Sequence, residues 1–94
     1  MTSQKTNLAY LVNDMGKDIK VSKKVDALYL HSPVPLLRLK KELAGVNPRD
    51  IVQIDCTDQG CRGDFENWCS RKEHTLLGEN STSDYTSYFI QKKE

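Results

Sequence analysis

The sequence predicts a two-layer α/β sandwich, with elements in the order β-α-β-α-β-β and two helices on one face of a mixed four-stranded sheet. Short segments rich in apolar and β-branched residues alternate with two segments of helical character, and two further strand-like segments follow. The chain has 94 residues, which suffices for one small hydrophobic core. Because crossovers between parallel strands are right-handed, both helices should lie on the same face.

The chain divides into an N-terminal extension, residues 1–20, and a domain, residues 21–94. Charged and polar residues interrupt every apolar run in the extension, so we expect neither a signal peptide nor a membrane-spanning helix. We expect its apolar cluster to pack onto the domain or onto a second copy of the chain, and a disordered tail is the alternative. The cluster consists of Leu8, Tyr10, Leu11 and Val12.

The first strand and the first helix meet at a proline-rich junction. Residues 24–30, KVDALYL, are short and apolar, which predicts a buried strand. Ser32 should be the N-cap of the helix, with its hydroxyl accepting a hydrogen bond from a backbone N–H. The helix is predicted over residues 33–45 and ends at Gly45. Leucines recur on one of its faces at i, i+3 and i+7, namely Leu36, Leu39 and Leu43.

The second half of the chain predicts a strand, a helix and a hairpin. Residues 50–57 alternate β-branched and polar side chains, and the loop DQGCRGD follows. Asp64 should cap the second helix, which is predicted over residues 62–73. A turn at NSTSD joins two final strands, at residues 75–79 and 85–93. The predicted core comprises Leu36, Leu39, Leu43, Val52, Ile54, Trp68, Leu76 and Ile90.

The topology predicts the place of a functional site. If the first two strands are parallel, their carboxyl ends lie at the same edge of the sheet. Ser32 would then lie near the DQGCRGD loop that follows the second strand. Open α/β sheets usually bind and react at this edge.

Several motifs follow one another along the domain in a recognisable order. They are Val25-Asp26, Pro33-Val34-Pro35, Leu36-Leu37, Leu39-Lys40-Lys41, Thr57-Asp58-Gln59-Gly60, Asp64, Trp68-Cys69 and His74-Thr75-Leu76-Leu77. In this order and spacing the chain resembles the TusA/SirA-like sulfur-carrier family, so residues 21–94 are interpreted as a TusA-like domain. The chain departs from the family pattern at Tyr29 and Glu73, where a glycine is usual, at Gln59, where a proline is usual, and at Ser32, where the family has its sulfur-carrying cysteine.

The resemblance implies a carrier that accepts sulfur as a persulfide and relays it between protein partners, without a cofactor. The partners would be a sulfur donor, such as a cysteine desulfurase, and a sulfur acceptor. Backbone N–H groups and the helix dipole lower the pKa of a cysteine at a helix N-terminus, which favours the thiolate. Pro33 and Pro35 should stiffen the first helical turn, and Asp58 and Gly60 belong to the matching loop beside it.

Serine at position 32 cannot carry sulfane sulfur. His31 should point away along the strand, so we do not expect it to activate the Ser32 hydroxyl. Three explanations of Ser32 stay open: an introduced Cys→Ser exchange, natural loss of the chemistry with the scaffold kept as a non-catalytic interaction or regulatory module, or transfer of the role to another cysteine. The sequence therefore leaves open whether the chain is a sulfurtransferase.

Cys61 is the predicted substitute for a carrier cysteine. It lies in the glycine-containing loop, ahead of a helix and beside Arg62, and both neighbours favour a thiolate. The alternative is an exposed loop thiol without a role. Cys56 and Cys69 are predicted to be core residues. Together with His74 the cysteines give a zinc-like spacing, C-x4-C-x7-C-x4-H, but strand and helix positions should keep them apart, so we expect no metal and interpret His74 as a helix-terminal cation.

Charge and cysteine content limit the other partners. The net charge is +1, and we expect binding neither to nucleic acid nor to a membrane surface. The three cysteines do not suggest a disulfide framework, which favours the cytoplasm. Five basic residues could form a docking face for an acidic partner, and the alternative is an ordinary solvated surface. They are Arg38, Lys40, Lys41, Arg49 and Arg62.

Overall fold

The computed structural model describes residues 20–94 and has the predicted order β-α-β-α-β-β. The apolar cluster of the N-terminal extension lies outside the described residues. The elements are β1 (Val21–Ala27), α1 (Val34–Ala44), β2 (Ile51–Cys56), α2 (Cys61–Lys72), β3 (Thr75–Ser81) and β4 (Thr86–Gln91).

The four strands form one mixed sheet in the order β1-β2-β4-β3. β1 and β2 are parallel, as the crossover through α1 requires, and β4 is antiparallel to both β2 and β3. α1 packs on β1 and β2, while α2 packs on β3 and also contacts α1. Both helices therefore lie on one face of the sheet, and the predicted architecture is confirmed.

The hydrophobic core lies between this face and the two helices. Of the eight predicted core residues, six are buried, but Leu36 and Leu76 are half-buried at its margin. Phe65 of α2 was not predicted, although it is fully buried and its ring meets that of Tyr88 edge-on, at 5.0 Å and 81°. The six buried residues of the prediction are Leu39, Leu43, Val52, Ile54, Trp68 and Ile90.

The first strand is the element whose predicted boundaries differ most from the structure. β1 ends at Ala27 rather than at residue 30, because Tyr29 has a φ of 65°, which an extended strand cannot accommodate. A turn forms instead, in which the Leu30 N–H donates to the Ala27 carbonyl oxygen at 3.3 Å. This turn lifts the chain out of the sheet ahead of Ser32.

The helix and hairpin boundaries differ by smaller amounts. α2 begins at Cys61, and Glu73 follows it with a φ of 66°, the left-handed conformation common after a helix. β3 extends to Ser81, so the turn is shorter than predicted. Within that turn the Thr82 hydroxyl accepts hydrogen bonds from the backbone N–H groups of Asp84 and Tyr85. Within residues 20–94, no helix has the length and apolar character needed to cross a bilayer.

Candidate functional site

The loop after β1 and the loop after β2 meet at Ser32. A Cβ atom placed on Gly60 would lie 3.4 Å from Ser32 Cβ and 3.2 Å from Asp58 Oδ1. Such an atom would press on Asp58 Oδ1 within the same loop and would make an ordinary van der Waals contact with Ser32 Cβ across the two loops. The predicted proximity of Ser32 to the DQGCRGD loop is confirmed.

The Asp58 carboxylate ties the two loops together. Its Oδ2 accepts a hydrogen bond from the Ser32 backbone N–H at 2.9 Å, and its Oδ1 accepts one from the Gly60 N–H at 2.7 Å. These two bonds hold the pKa of the Asp58 carboxyl below its ordinary value, and the bond from Ser32 has the larger effect. His31 Nδ1 lies 3.6 Å from Asp58 Oδ2, with the imidazole 92% exposed. Asp58 thus fixes the backbone of the residue that the junction presents.

The Ser32 hydroxyl has a different partner from the predicted one. It donates to Asp64 Oδ2 on α2, whereas the N-cap of α1 is Pro33. The prediction of Ser32 as the N-cap is wrong, because the helix begins two residues later, at Val34. Asp64 was predicted as the cap of α2, but that cap is Gly60, and Asp64 lies in the first helical turn. A carboxylate in this turn is favoured by the helix dipole.

The two prolines stand one position earlier in the helix than predicted, because α1 begins at Val34 rather than at Pro33. Pro33 is the N-cap, after a cis Ser32–Pro33 peptide bond, and Pro35 is buried in the first turn. The Leu37 N–H donates to the Pro33 carbonyl oxygen at 3.2 Å, which closes that turn. Because N–H groups of a first turn have no partner within the helix, proline at this place removes no hydrogen bond.

Cys61 occupies an environment opposite to the predicted one. It is the first residue of α2 and has no exposed surface, because its side chain points into the core. Burial raises the pKa of its thiol, and the carboxylates of Asp58 and Asp64 act in the same direction. The structure thus places Cys61 in α2 rather than in the loop, and its surroundings oppose the thiolate that the sequence favoured.

The other two cysteines are core residues, as predicted. Cys56 is 2% exposed, and burial raises its thiol pKa far above the ordinary range. Cys69 is also 2% exposed, and burial raises its pKa to about 11. All three cysteines are free thiols. Within residues 20–94 no three histidine, cysteine or acidic side chains form a metal-binding group.

His74 is not the helix-terminal cation that its position suggested. Its Nδ1 accepts a hydrogen bond from the Lys93 backbone N–H at 3.1 Å, which requires the unprotonated nitrogen. Its ring lies 5.0 Å from that of Trp68. The imidazole pKa is lowered mainly by burial. The positive charges of Lys93 and other nearby lysines lower it further. The neutral form is favoured, so His74 joins the end of β4 to the α2 side of the fold.

Two of the five basic residues of the predicted docking face are paired with acidic residues. Arg62 donates to both carboxylate oxygens of Glu79, at 2.9 and 2.5 Å. Arg49 is paired with Glu94 at 2.9 Å. Two predicted members of the face thus have their charges compensated within the chain.

The remaining three basic residues lie on α1 and point in two directions. Lys40 Nζ lies 5.8 Å from the centre of the Trp68 ring. Arg38 and Lys41 instead line a groove of about 370 Å³, together with Val25, Val34, Leu37 and Glu42. Of the predicted docking face, Arg38 and Lys41 share this groove, and the docking role stays a prediction.

Three large apolar side chains near Ser32 were missed. Tyr29, Val34 and Leu37 are 80%, 40% and 57% exposed, respectively. The Tyr29 N–H donates to the Thr57 hydroxyl at 2.9 Å, which links the two loops a second time. Leu37 carried a signal in the sequence, because it falls outside the i, i+3, i+7 stripe of α1. All three exposed apolar side chains thus lie within five residues of Ser32 along the chain.

These features define a class of protein, namely a small two-layer α/β domain that presents one exposed side chain just before its first helix. A carboxylate of the neighbouring loop is hydrogen-bonded to the backbone of the residue that carries this side chain. The sequence profile of the sulfurtransferase TusA family matches residues 23–92. The chain belongs to the TusA family of sulfur carriers.

Individual relatives agree with this assignment. The chain is 35% identical over 72 residues to a protein of Neisseria meningitidis serogroup A that is named as a candidate sulfur carrier. The aligned residues cover 77% of this chain and 97% of that protein. It is 31% identical over 74 residues to another so named from Bacillus subtilis, covering 79% and 99%. The structure of a SirA-like protein from Desulfitobacterium hafniense has the same fold, with a TM-score of 0.68 at 19% identity over 77% of this chain and 99% of that one.

Proposed function

We propose that this chain has the docking scaffold of a persulfide-relay protein of the sulfur-carrier type, in which Ser32 occupies the position of the carrier cysteine and leaves the relay site disabled. It would dock a sulfur donor, such as a cysteine desulfurase, and a sulfur acceptor at the Ser32 junction, without a cofactor. The observation that carries the proposal is the exposed Ser32, held at the meeting of two loops by Asp58 and Asp64. We place this activity in the cytoplasm, where the three thiols would stay reduced.

The relay chemistry requires a thiolate at the presented position. A carrier thiolate attacks the terminal sulfur of the donor's persulfide, a new S–S bond forms, the donor's S–S bond breaks, and the donor leaves as a thiolate. No external oxidant or reductant is needed. The Ser32 hydroxyl donates to Asp64, and within residues 20–94 no imidazole is hydrogen-bonded to it as a base. We therefore expect Ser32 itself to be inert towards sulfur donors.

The partner surface would combine apolar and basic side chains. Tyr29, Val34 and Leu37 are exposed within five residues of Ser32 along the chain, and Arg38 and Lys41 line the α1 groove together with Leu37. Exposed apolar side chains give a protein interface its buried centre, and charges at the rim select the partner. A partner with acidic side chains around an apolar patch would fit this surface.

Sulfur loading tests the proposal directly. The native chain, Ser32→Cys and the control Ser32→Ala would be incubated with a cysteine desulfurase and cysteine, then analysed by intact and peptide mass spectrometry. We expect one added sulfur atom on the new thiol of Ser32→Cys and none on the other two proteins. Loading of Cys61 in the native chain would instead indicate that this cysteine has taken over the role.

A second candidate is a non-catalytic interaction or regulatory module on the same scaffold. The hydrogen bond between Ser32 and Asp64 favours it, because the hydroxyl is engaged within the protein. Absence of loading on folded Ser32→Cys, with a donor that loads another carrier, would contradict the relay proposal and leave this module. Circular dichroism and a thermal scan would establish that the variant is folded.

A further inference from the structure

The sheet has a second face, opposite to both helices. Strand pairing identifies its residues, since directly opposed residues point to the same side of a sheet. Val52 pairs with Ile90, and both belong to the core beneath the helices. The next pairs along the strands, Gln53 with Phe89 and Asp55 with Ser87, therefore point to the other side. Ile51 points to that side as well. We call this surface the helix-free face.

The central part of the helix-free face is buried, whereas Lys24 and Asp26, which continue the face on β1, are exposed. Phe89 and Ser87 have no exposed surface, Gln53 is 5% exposed and Ile51 is 8% exposed. Phe89 and Ile51 do not belong to the core cluster on the helix side. Within residues 20–94, both helices pack on the opposite face. On this face of a two-layer sandwich, a phenylalanine of a central strand would be open to water, so the two helices do not account for the burial of Phe89.

Polar side chains of the helix-free face are hydrogen-bonded to one another. Asp55 Oδ1 accepts hydrogen bonds from Gln53 Nε2 at 3.0 Å and from the Ser87 hydroxyl at 2.6 Å. Within residues 20–94, no buried side-chain nitrogen or oxygen lacks a hydrogen-bond partner. The side chains of this face that are already buried are therefore satisfied.

We propose that residues 1–19 of the same chain cover the helix-free face as a third layer, with Leu8, Leu11 and Val12 against Phe89 and Ile51. The family profile begins to match at residue 23, so this segment is additional to the family domain. Leu8, Leu11 and Val12, followed by Met15, have the spacing i, i+3, i+4 and i+7, which is typical of one apolar helix face.

The segment can reach the face from the point where it joins the sheet. Val21 pairs with Ile51, so the chain enters the sheet beside one apolar residue of the helix-free face. Two strand spacings, about 10 Å, separate β1 from β4. The nine residues from Val12 to Val21 span about 13 Å even if fully helical. Because the segment is tethered to β1, its effective concentration at the face favours it over a second copy of the chain.

Contacts within the full-length native chain test the proposal. We expect nuclear Overhauser effects between the Phe89 ring protons and methyl protons of Leu8, Leu11 or Val12. An isotope-filtered experiment on mixed labelled and unlabelled chains should show none of these effects, because the contacts lie within one chain. Their absence from the native protein, or their appearance between chains in the mixed sample, would overturn the proposal and, in the second case, assign the face to a second copy.

A pair of matched variants provides an independent measurement. Leu11→Asp places a charge on the apolar stripe, and Asn13→Asp adds the same charge two residues later, off the stripe. We expect Leu11→Asp to shift the Phe89 ring resonances and to increase the fluorescence of an apolar dye, while Asn13→Asp leaves both unchanged. Equal responses of the two variants would contradict the proposal. Sulfur loading of Ser32→Cys is a separate assay, and neither result depends on it.

Discussion

The Ser32 junction and the three cysteines each meet one of two requirements of sulfur transfer. The junction is accessible, and the cysteines have thiols. The junction is exposed, and two carboxylates and a glycine fix its geometry, but the side chain that it presents is a hydroxyl. Cys56, Cys61 and Cys69 are thiols, but all are buried and burial raises the pKa of each. A reactive carrier needs a thiol and access at the same position, and this chain separates them.

The difference arises within one short stretch of chain. Gly60 approaches Ser32 closely, while its neighbour Cys61 turns into the core as α2 begins. One residue along a helix changes the direction of a side chain by about 100°, which suffices to move it from the site to the interior. Nearness in sequence to a functional loop is therefore poor evidence that a thiol is reactive.

The largest expected effect is on thiol access. The native thiols should react with a thiol-specific disulfide reagent only when the fold opens, whereas the new thiol of Ser32→Cys should react directly. An opening free energy of about 3 kcal/mol already gives a rate ratio of about 100. Stopped-flow measurement with the native chain as control would check this. A native thiol reacting as fast as that of Ser32→Cys would remove the contrast between the two regions.

Removing a core ring should weaken the burial of the cysteines. Phe65→Ala deletes a fully buried ring that contacts Tyr88, and such a deletion costs about 3–5 kcal/mol. We expect a lower free energy of unfolding in urea and faster reaction of the native thiols. The neighbouring exposed exchange Glu66→Ala is the matched control. An unchanged thiol reaction rate in destabilised Phe65→Ala would show that the cysteines are protected by something other than this core.

Asp64 should lower the reactivity of a thiol placed at position 32. In Ser32→Cys, the Asp64 carboxylate would lie beside the sulfur and raise the thiol pKa by like-charge repulsion. Adding Asp64→Asn should lower that pKa and speed alkylation near neutral pH, whereas Glu66→Gln on the same helix should do neither. The measurement is the pH dependence of the alkylation rate. An unchanged profile would mean that Asp64 acts on the hydroxyl alone.

Asp58 should contribute stability that depends on pH. Its pKa is lowered in the folded protein by the N–H groups of Ser32 and Gly60, so its contribution is present at neutral pH and is lost as the pH falls below about 4. We expect Asp58→Ala to have a lower Tm than the native chain at pH 7, and the difference should shrink at pH 3. Gln59→Ala is the control, and a Tm difference independent of pH would contradict this linkage.

The smallest expected effect concerns Arg62. The sequence suggested that it favours a Cys61 thiolate, but it is paired with Glu79 instead. Arg62→Gln should leave the reaction rate of the native thiols unchanged and lower the Tm slightly, by an amount that disappears at high salt. A clear loss of thiol reactivity would restore the link between Arg62 and Cys61.

The sequence predicted most of the fold because its signals are local. The Leu39 and Leu43 stripe, the β-branched residues of β2 and the turn residues between elements each depend on a few neighbouring positions. The order of elements and the handedness of crossovers then restricted the topology to one sheet with both helices on one face. The predicted end of β1 was wrong because it depends on a single backbone angle, the positive φ of Tyr29.

By itself, the sequence determined that Ser32 opens the first helix region and lies near the loop containing Asp58 and Gly60, since parallel strands end at the same edge of a sheet. It could not determine what the Ser32 hydroxyl contacts, because Asp64 is 32 residues away along the chain. Nor could it determine that Cys61 is buried. Only tertiary packing decided these points, because the direction of a side chain depends on how its helix sits on the sheet, and the pKa of a thiol depends on what surrounds it.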